Sequence, residues 1–238
     1  MKVYGYGRSG KPEETELQKA FPFLNEKGHV IAICGAGGKT TLMYYLAKYC
    51  ACSGLKTLVA TSTHIVMDAE HYADNPDEVR MKFAQNRIAV VGERAAEGKL
   101  TACDEVTMEK YIAESDIVFV EADGSKHLPC KAPGDSEPVI PKQADIVIGV
   151  LGLTAMDRRI GDVCHRKEIV CEILEKTEND ILHFEDFIRL MTDERGIHKN
   201  SASAARYCIF NQFEEEFPIH NSGPENCYFT FFDMEERQ

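Results

Sequence analysis

The stretch His29-Val-Ile-Ala-Ile-Cys-Gly-Ala-Gly-Gly-Lys-Thr-Thr41 decides the reading of this chain. Its apolar, β-branched run from His29 to Cys34 predicts a buried strand. The run breaks into Gly35, Gly37 and Gly38, passes through Lys39-Thr40-Thr41, and continues in the helical spacing of Leu42, Tyr45, Leu46 and Tyr49. Strand, glycine turn, Lys-Thr and helix together form the phosphate-cradling loop of nucleotide-binding proteins. Glycines let backbone N–H groups approach phosphate oxygens, and the helix N-terminus adds a favourable dipole. On this reading Gly35, Ala36, Gly37, Gly38, Lys39, Thr40 and Thr41 hold the nucleotide. Lys39 reaches its outer phosphates and the Thr40 hydroxyl binds Mg²⁺. The loop is short, because the usual pattern has a glycine six residues before the lysine and Ile33 stands there.

Composition sets the outer limits. A chain of 238 residues can bury one good core, and 44% hydrophobic with 28% charged residues describes an ordinary globular protein. No apolar run approaches the ~20 residues of a membrane span, and the N-terminus carries no signal-peptide pattern. The net charge of −12 argues against nucleic-acid or anionic-membrane binding, while leaving room for a local basic pocket. Nine cysteines without an export signal predict reduced thiols and a cytoplasmic location. Cys34 and Cys208 fall inside apolar strand patterns as small buried hydrophobes. Cys130, in a loop, is the one whose position suggests thiol chemistry.

Polar residues punctuated by Gly5, Gly7, Gly10 and Pro12 make residues 1–25 an N-terminal arm. Strands are then expected at His29–Cys34, Thr57–Thr61, Arg87–Val91, Ile117–Glu121, Ile146–Leu151 and Tyr207–Asn211. Helices are expected at Thr40–Cys52, Pro76–Gln85, Thr107–Glu114, Arg166–Lys176 and Phe184–Thr192. This alternation implies an α/β, three-layer, P-loop NTPase-like fold with a mainly parallel sheet. A single nucleotide-binding domain would span 1–238, with 213–238 as an atypical tail that can add a final edge strand at Cys227–Phe232. In such sheets ligands bind beyond the carboxyl ends of the strands, and several predicted strands end there in polar residues.

Three further constellations carry chemistry. Glu121 and Asp123 follow an apolar strand, where an acidic residue serves Mg²⁺ or its bound water; Glu121 is favoured for the metal and Asp123 for the second sphere or base. A strand-terminal acid can also simply cap a turn. Thr61-Ser-Thr-His64 offers hydroxyls and an imidazole: Thr63 can contact substrate, and His64 can transfer a proton or serve as a structural histidine. The proline-rich segment Gly124–Pro141 must be a loop, and Ser125, Lys126, His127 and Lys131 suit an anionic substrate. His165 and Arg166 open a helix against its dipole, which hints at a nearby anion or a solvated face. Asn211-Gln212-Phe213-Glu214 stands where guanine-specific proteins read the base with Asn-Lys-x-Asp, leaving ATP and GTP both open.

The spacing of these segments resembles the YqeC family, proposed accessory factors for selenium-dependent molybdenum hydroxylases. Cys34-Gly-Ala-Gly-Gly-Lys-Thr-Thr41, Thr61-Ser-Thr-His-Ile65, Val120-Glu-Ala-Asp-Gly-Ser125 and Leu128-Pro-Cys-Lys-Ala-Pro133 carry the resemblance. Glu137-Pro-Val-Ile-Pro141, Gly149-Val-Leu-Gly-Leu153, His165-Arg166 and Asn211-Gln212 extend it over roughly residues 29–212. The short loop Gly35-x-x-Gly38-Lys39-Thr40-Thr41 is also similar to that of Mur ligases and folylpolyglutamate synthases. The latter carry a Thr-Ser-Pro-His segment like Thr61-Ser-Thr-His64. Those enzymes activate a carboxylate as an acyl phosphate; their large C-terminal domain has no counterpart here.

These resemblances imply Mg²⁺-dependent ATP or GTP binding, with hydrolysis or phosphoryl transfer, in maturing a selenium-dependent molybdenum hydroxylase client or its cofactor. Lys39, Glu121, Asp123 and His64 are the expected catalytic residues, Thr40 and Glu121 the metal residues, and Asn211 a nucleotide contact. A ligase or kinase acting on a small acid, and a nucleotide-switched carrier or chaperone, are the alternatives.

Overall fold

Alternate residues of His29–Gly35 are buried on opposite faces, Val30, Ala32 and Cys34 in one apolar cluster and Ile31 and Ile33 in another. A strand buried on both sides requires helices above and below its sheet. The computed structural model, which describes residues 1–7, 10–201, 203–214, 217, 219 and 223–232, has that three-layer α/β arrangement.

The main sheet contains β1 (Lys2–Tyr6), β2 (Pro12–Thr15), β3 (His29–Gly35), β4 (Thr57–Thr61), β5 (Ile88–Val90), β6 (Ile117–Glu121), β7 (Ile146–Gly152), β8 (Ala205–Asn211) and β9 (Cys227–Phe231). Their order across the sheet is β2-β1-β9-β8-β7-β3-β6-β4-β5. All neighbours from β9 to β5 are parallel; β1 runs against them, and β2, antiparallel to β1, returns to their direction. Helix α1 (Lys39–Cys52) covers one face with Leu42, Met43, Leu46 and Cys50. Helices α2 (Pro76–Asn86), α3 (Glu105–Glu114), α4 (Lys167–Leu174) and α5 (Phe184–Thr192) cover the other. No helix among the described residues is long and apolar enough to cross a membrane.

After β3 the chain builds β4, β5 and β6 to one side, then crosses β3 to build β7, β8 and β9 on the other. β3 therefore stands where the strand order reverses, the crevice in which open α/β sheets hold ligands. The glycine loop, Thr61, Glu121, Gly152 and Asn211 all leave the sheet at that edge.

The predicted parallel strands and helices fall within about two residues of their observed bounds, and the differences are local. Arg87 adopts φ +61° to end α2, so β5 starts one residue later than expected. The N-terminal arm is a correction: Lys2–Tyr6 and Pro12–Thr15 pair with each other, Lys2–Tyr6 also pairs with β9, and Val3 and Tyr4 are buried. Gly7 and Gly10 lie between the two strands, Gly5 is paired inside β1, and the partner on β9 lies over 200 residues away. In consequence Cys227–Phe231 is an interior strand rather than an edge. A minor antiparallel sheet, His64–Val66 with Lys99–Thr101 and Glu93–Arg94, has no counterpart in the sequence reading.

Candidate functional site

Three positions, one at the end of β3 and two in the loop after it, admit only glycine. Gly35, Gly37 and Gly38 have φ of +103°, +76° and +105°, a region costly for residues with a side chain. A Cβ would also stand 2.1 Å from Val150 O at Gly35, 2.3 Å from Gly152 N at Gly37, and 2.4 Å from Asn211 Nδ2 at Gly38. The loop is thus pressed against the ends of β7 and β8. Asn211 reinforces this, its Nδ2 donating to Gly37 O (2.8 Å) while its Oδ1 accepts from Thr230 on β9 (2.8 Å).

The first two amides of the loop are used internally. Gly35 N–H donates to both Asp123 oxygens at 3.0 Å, and Ala36 N–H donates to Val150 O at 2.8 Å. The amides of Gly37, Gly38, Lys39, Thr40 and Thr41 meet no acceptor among the described residues. They follow one another into the first turn of α1, where the helix dipole is positive.

Around them runs a chain of alternating charges. Lys39, 4% exposed, donates to Gly35 O (2.7 Å) and lies 3.4 Å from Asp123 Oδ1 and 4.0 Å from Glu121 Oε1. Glu121 Oε2 accepts from the Thr40 hydroxyl at 2.6 Å. Lys131, wholly buried, donates to Asp123 Oδ2 (2.8 Å), Gly124 O (2.7 Å) and Glu137 Oε2 (2.8 Å). Arg166 grips Glu137 with both terminal nitrogens, at 2.5 and 2.8 Å. Three cations thus interleave with three carboxylates from the glycine loop to the start of α4. Burial raises the Glu121 carboxyl above its ordinary value, against the pull of Lys39 and Thr40. Burial also works on Glu137, but Arg166 and Lys131 override it and hold that carboxyl down at about 2. His165 is lowered by burial, then by Arg166 and Lys131.

A cleft of about 610 Å³ opens above the loop. Gly37, Gly38, Lys39, Thr40, Thr41 and Glu121 form its floor. His64–Val66 and Lys99 of the minor sheet make one wall; Gly124–Pro129 makes another; Thr154, Arg158 and Gln212 make a third. Of the residues expected from sequence, the structure brings Lys39, Thr40, Thr41, Glu121, His64, Ser125 and Lys126 together there. Gly35 and Asp123 lie beneath the floor, bonded to each other, and the backbone of Ala36 is tied to β7. Thr63 donates its N–H to Thr61 Oγ1 (3.0 Å), while the Thr61 hydroxyl holds Glu121 O (3.2 Å). This hydroxyl segment orders the loop ends beside the cleft.

Lys131, His165 and Arg166 are not among the residues lining the cleft. Lys131 and Arg166 face internal carboxylates, where two short strands, Cys130–Lys131 and Cys164–His165, pair beside them. Cys130 is buried in the same pairing, and its thiol is raised well above the ordinary range by the neighbouring Cys164 and by burial. That is an unreactive thiol. Asn211, 3% exposed, spends its amide on the loop and on Thr230.

Sequence reasoning missed Lys99 and Arg158, whereas Thr154 was legible as a polar strand end at the ligand-binding edge. Arg158 had a signal, since Thr154-Ala-Met-Asp-Arg-Arg159 follows a strand at the ligand-binding edge. Lys99 had none, for it reaches the cleft only through the minor sheet.

The uncharacterized protein YqeC of Escherichia coli (strain K12) is 30% identical over 196 residues, covering 78% of this chain and 77% of that protein. The family model described as YqeC protein matches residues 31–168, which include the glycine loop, Glu121, Asp123 and the whole Lys131–Glu137–Arg166 chain. On both comparisons the chain belongs to the YqeC family.

Proposed function

We propose that this chain binds a nucleoside triphosphate, ATP or GTP, with Mg²⁺ on the glycine loop and hydrolyses it or transfers its terminal phosphoryl group. The observation that carries this reading is the run of amides from Gly37 to Thr41, without acceptors among the described residues, on the floor of a cleft that also holds Lys39. Such a row at a helix N-terminus matches the oxygens of a polyphosphate. Lys39 would leave Gly35 O for the outer phosphates. Asp123 keeps Lys131 and Gly35 N–H when Lys39 moves, so its buried charge stays compensated.

The donor chemistry suits a hard cation brought by the nucleotide. The Thr40 hydroxyl and Glu121 carboxylate present oxygens in direct contact, and phosphate oxygens would complete the set. Mg²⁺ there would offset phosphate charge as it develops. Lys39 and the loop amides stabilise the same charge from the protein side. Both Asp123 oxygens are engaged, so exposed His64 on the cleft wall is better placed to orient a nucleophile.

The setting we propose for this chemistry is the maturation of a selenium-dependent molybdenum hydroxylase or its cofactor, a role that the family resemblance suggests. Calorimetric titration of ATP and GTP with Mg²⁺ tests the nucleotide reading. Binding to wild type and at least tenfold weaker binding to Lys39→Ala are expected. A Lys39→Ala protein that binds and turns over nucleotide normally would sink it.

A further inference from the structure

The cleft has a second set of charges that the glycine loop does not use. In a chain of net charge −12, its lining includes His64, Lys99, Lys126, His127 and Arg158 in addition to Lys39, against a single carboxylate, Glu121. Glu121 is already engaged by Thr40, so it does not neutralise the rim. Among the described residues, no ion pair involves Arg158, Lys126 or His127, whereas Lys99 meets Glu97 at 3.3 Å. Lys126 and Arg158, which enter no ion pair among the described residues, reach one concavity from two separate loops; they raise the local potential for an anion, and low-dielectric walls focus it.

The positions are built rather than incidental. Arg158 is exposed at its side chain but anchored at its backbone, its N–H donating to Ala155 O (3.3 Å) and its carbonyl accepting from buried Leu182 (3.0 Å). Lys126 and His127 occupy the centre of a tight turn closed by Leu128 N–H on Ser125 O (3.0 Å), both at positive φ, +49° and +60°. Non-glycine residues there carry strain, which the Pro129 carbonyl offsets by accepting from Gly152 N–H at 2.8 Å. The fold therefore fixes two cationic points at the cleft rim from opposite sides of β3.

We propose that Arg158 and Lys126 form a subsite for a second ligand, a small molecule held by an oxyanion, carboxylate or phosphate, while the glycine loop holds the nucleotide. This rests on the nucleotide reading for the loop and adds a second molecule to the same cleft. Arg158 supplies the forked donor geometry that planar oxyanions match, and Lys126 supplies a mobile point charge.

The test uses wild-type protein saturated with Mg²⁺ and a non-hydrolysable triphosphate analogue, so that the positions of all three phosphates are filled. Inorganic phosphate and acetate are then titrated separately. At least one anion binds, and Arg158→Ala weakens it roughly tenfold or more, the size of a lost charge-assisted hydrogen bond. Lys126→Ala weakens it by a smaller factor, and neither variant changes analogue affinity more than about twofold. Acetate binding identifies a carboxylate ligand, and phosphate binding alone a phosphorylated one. Failure of both anions to bind, or an Arg158→Ala protein that loses analogue affinity as much as anion affinity, overturns the proposal. If wild type binds no nucleotide, the loop assignment fails instead. The subsite is then read by titrating phosphate into Lys39→Ala protein, where adding Arg158→Ala must still cost about tenfold.

Discussion

Replacing Lys131 by methionine isolates the energetic role of the charge chain. The aliphatic stem keeps its packing, but Asp123 and Glu137 lose an ammonium at 2.8 Å each and Gly124 O loses a donor. Removing one partner of a buried ion pair costs about 3–5 kcal/mol, because the other charge stays in low dielectric. Asp123 retains Gly35 N–H and the nearby Lys39, and Glu137 retains the Arg166 fork, so the low end, about 3 kcal/mol, is expected. For a chain of this length that corresponds to a Tm lower by roughly 6–12 °C. Urea unfolding followed by circular dichroism at pH 7 measures it. A Lys131→Met, Glu137→Gln double variant removes one stranded carboxylate and should lose about 1–2 kcal/mol less than the sum of the single changes. A Lys131→Met protein within 1 kcal/mol of wild type, or strict additivity in the double variant, would refute the claim that these charges act as one unit.

Glu137 gives a pH signature of definite sign. Its folded value of about 2 lies below the ordinary 4.5, so its stabilisation is full above the ordinary value and is lost as pH falls toward 2. Allowing for solvent screening, unfolding free energy should lose roughly 1–2 kcal/mol from this group across that window. Urea titrations of Glu137→Gln should show a correspondingly shallower acid dependence. Gly37→Ala, at φ +76° with a Cβ 2.3 Å from Gly152 N, should destabilise by about 3 kcal/mol or more and abolish nucleotide binding. Gly10→Ala, at φ +75° in open space, should cost only about 1 kcal/mol and leave binding intact, as calorimetry and thermal melts can check. Asn211→Ala removes the bond to Gly37 O and should cost about 1–3 kcal/mol, with weaker nucleotide binding at constant α1 helicity.

The strand His29–Gly35, its glycines and α1 were legible because each depends on neighbours within one or two turns of chain. The apolar run, the three positive-φ positions and the helical spacing are local properties, and so were Thr57–Thr61, Ile117–Glu121 and Phe184–Thr192. The acidic strand end was legible too, and Glu121 does meet Thr40. The individual tasks of the charged residues were not. Lys126 and Lys131 stand five apart in one proline-rich loop and look alike in sequence, yet one lines the cleft and the other is wholly buried against two carboxylates. Only the pairing of Cys130–Lys131 with Cys164–His165 separates them.

By itself, then, the sequence determined the layer architecture, the glycine loop and the edge of the sheet at which chemistry gathers. Those follow from side-chain periodicity and backbone sterics, which act over a few residues. The tertiary structure decided which cations stay free and which are spent, that Asp123 is locked while His64 is open, and that Arg158 and Lys99 reach the cleft. It also decided that Lys2–Tyr6 and Pro12–Thr15 complete the sheet and that Cys227–Phe231 lies inside it. Ion pairing, burial and strand neighbours are set by residues that can lie more than 200 positions apart, and no local pattern encodes such partners.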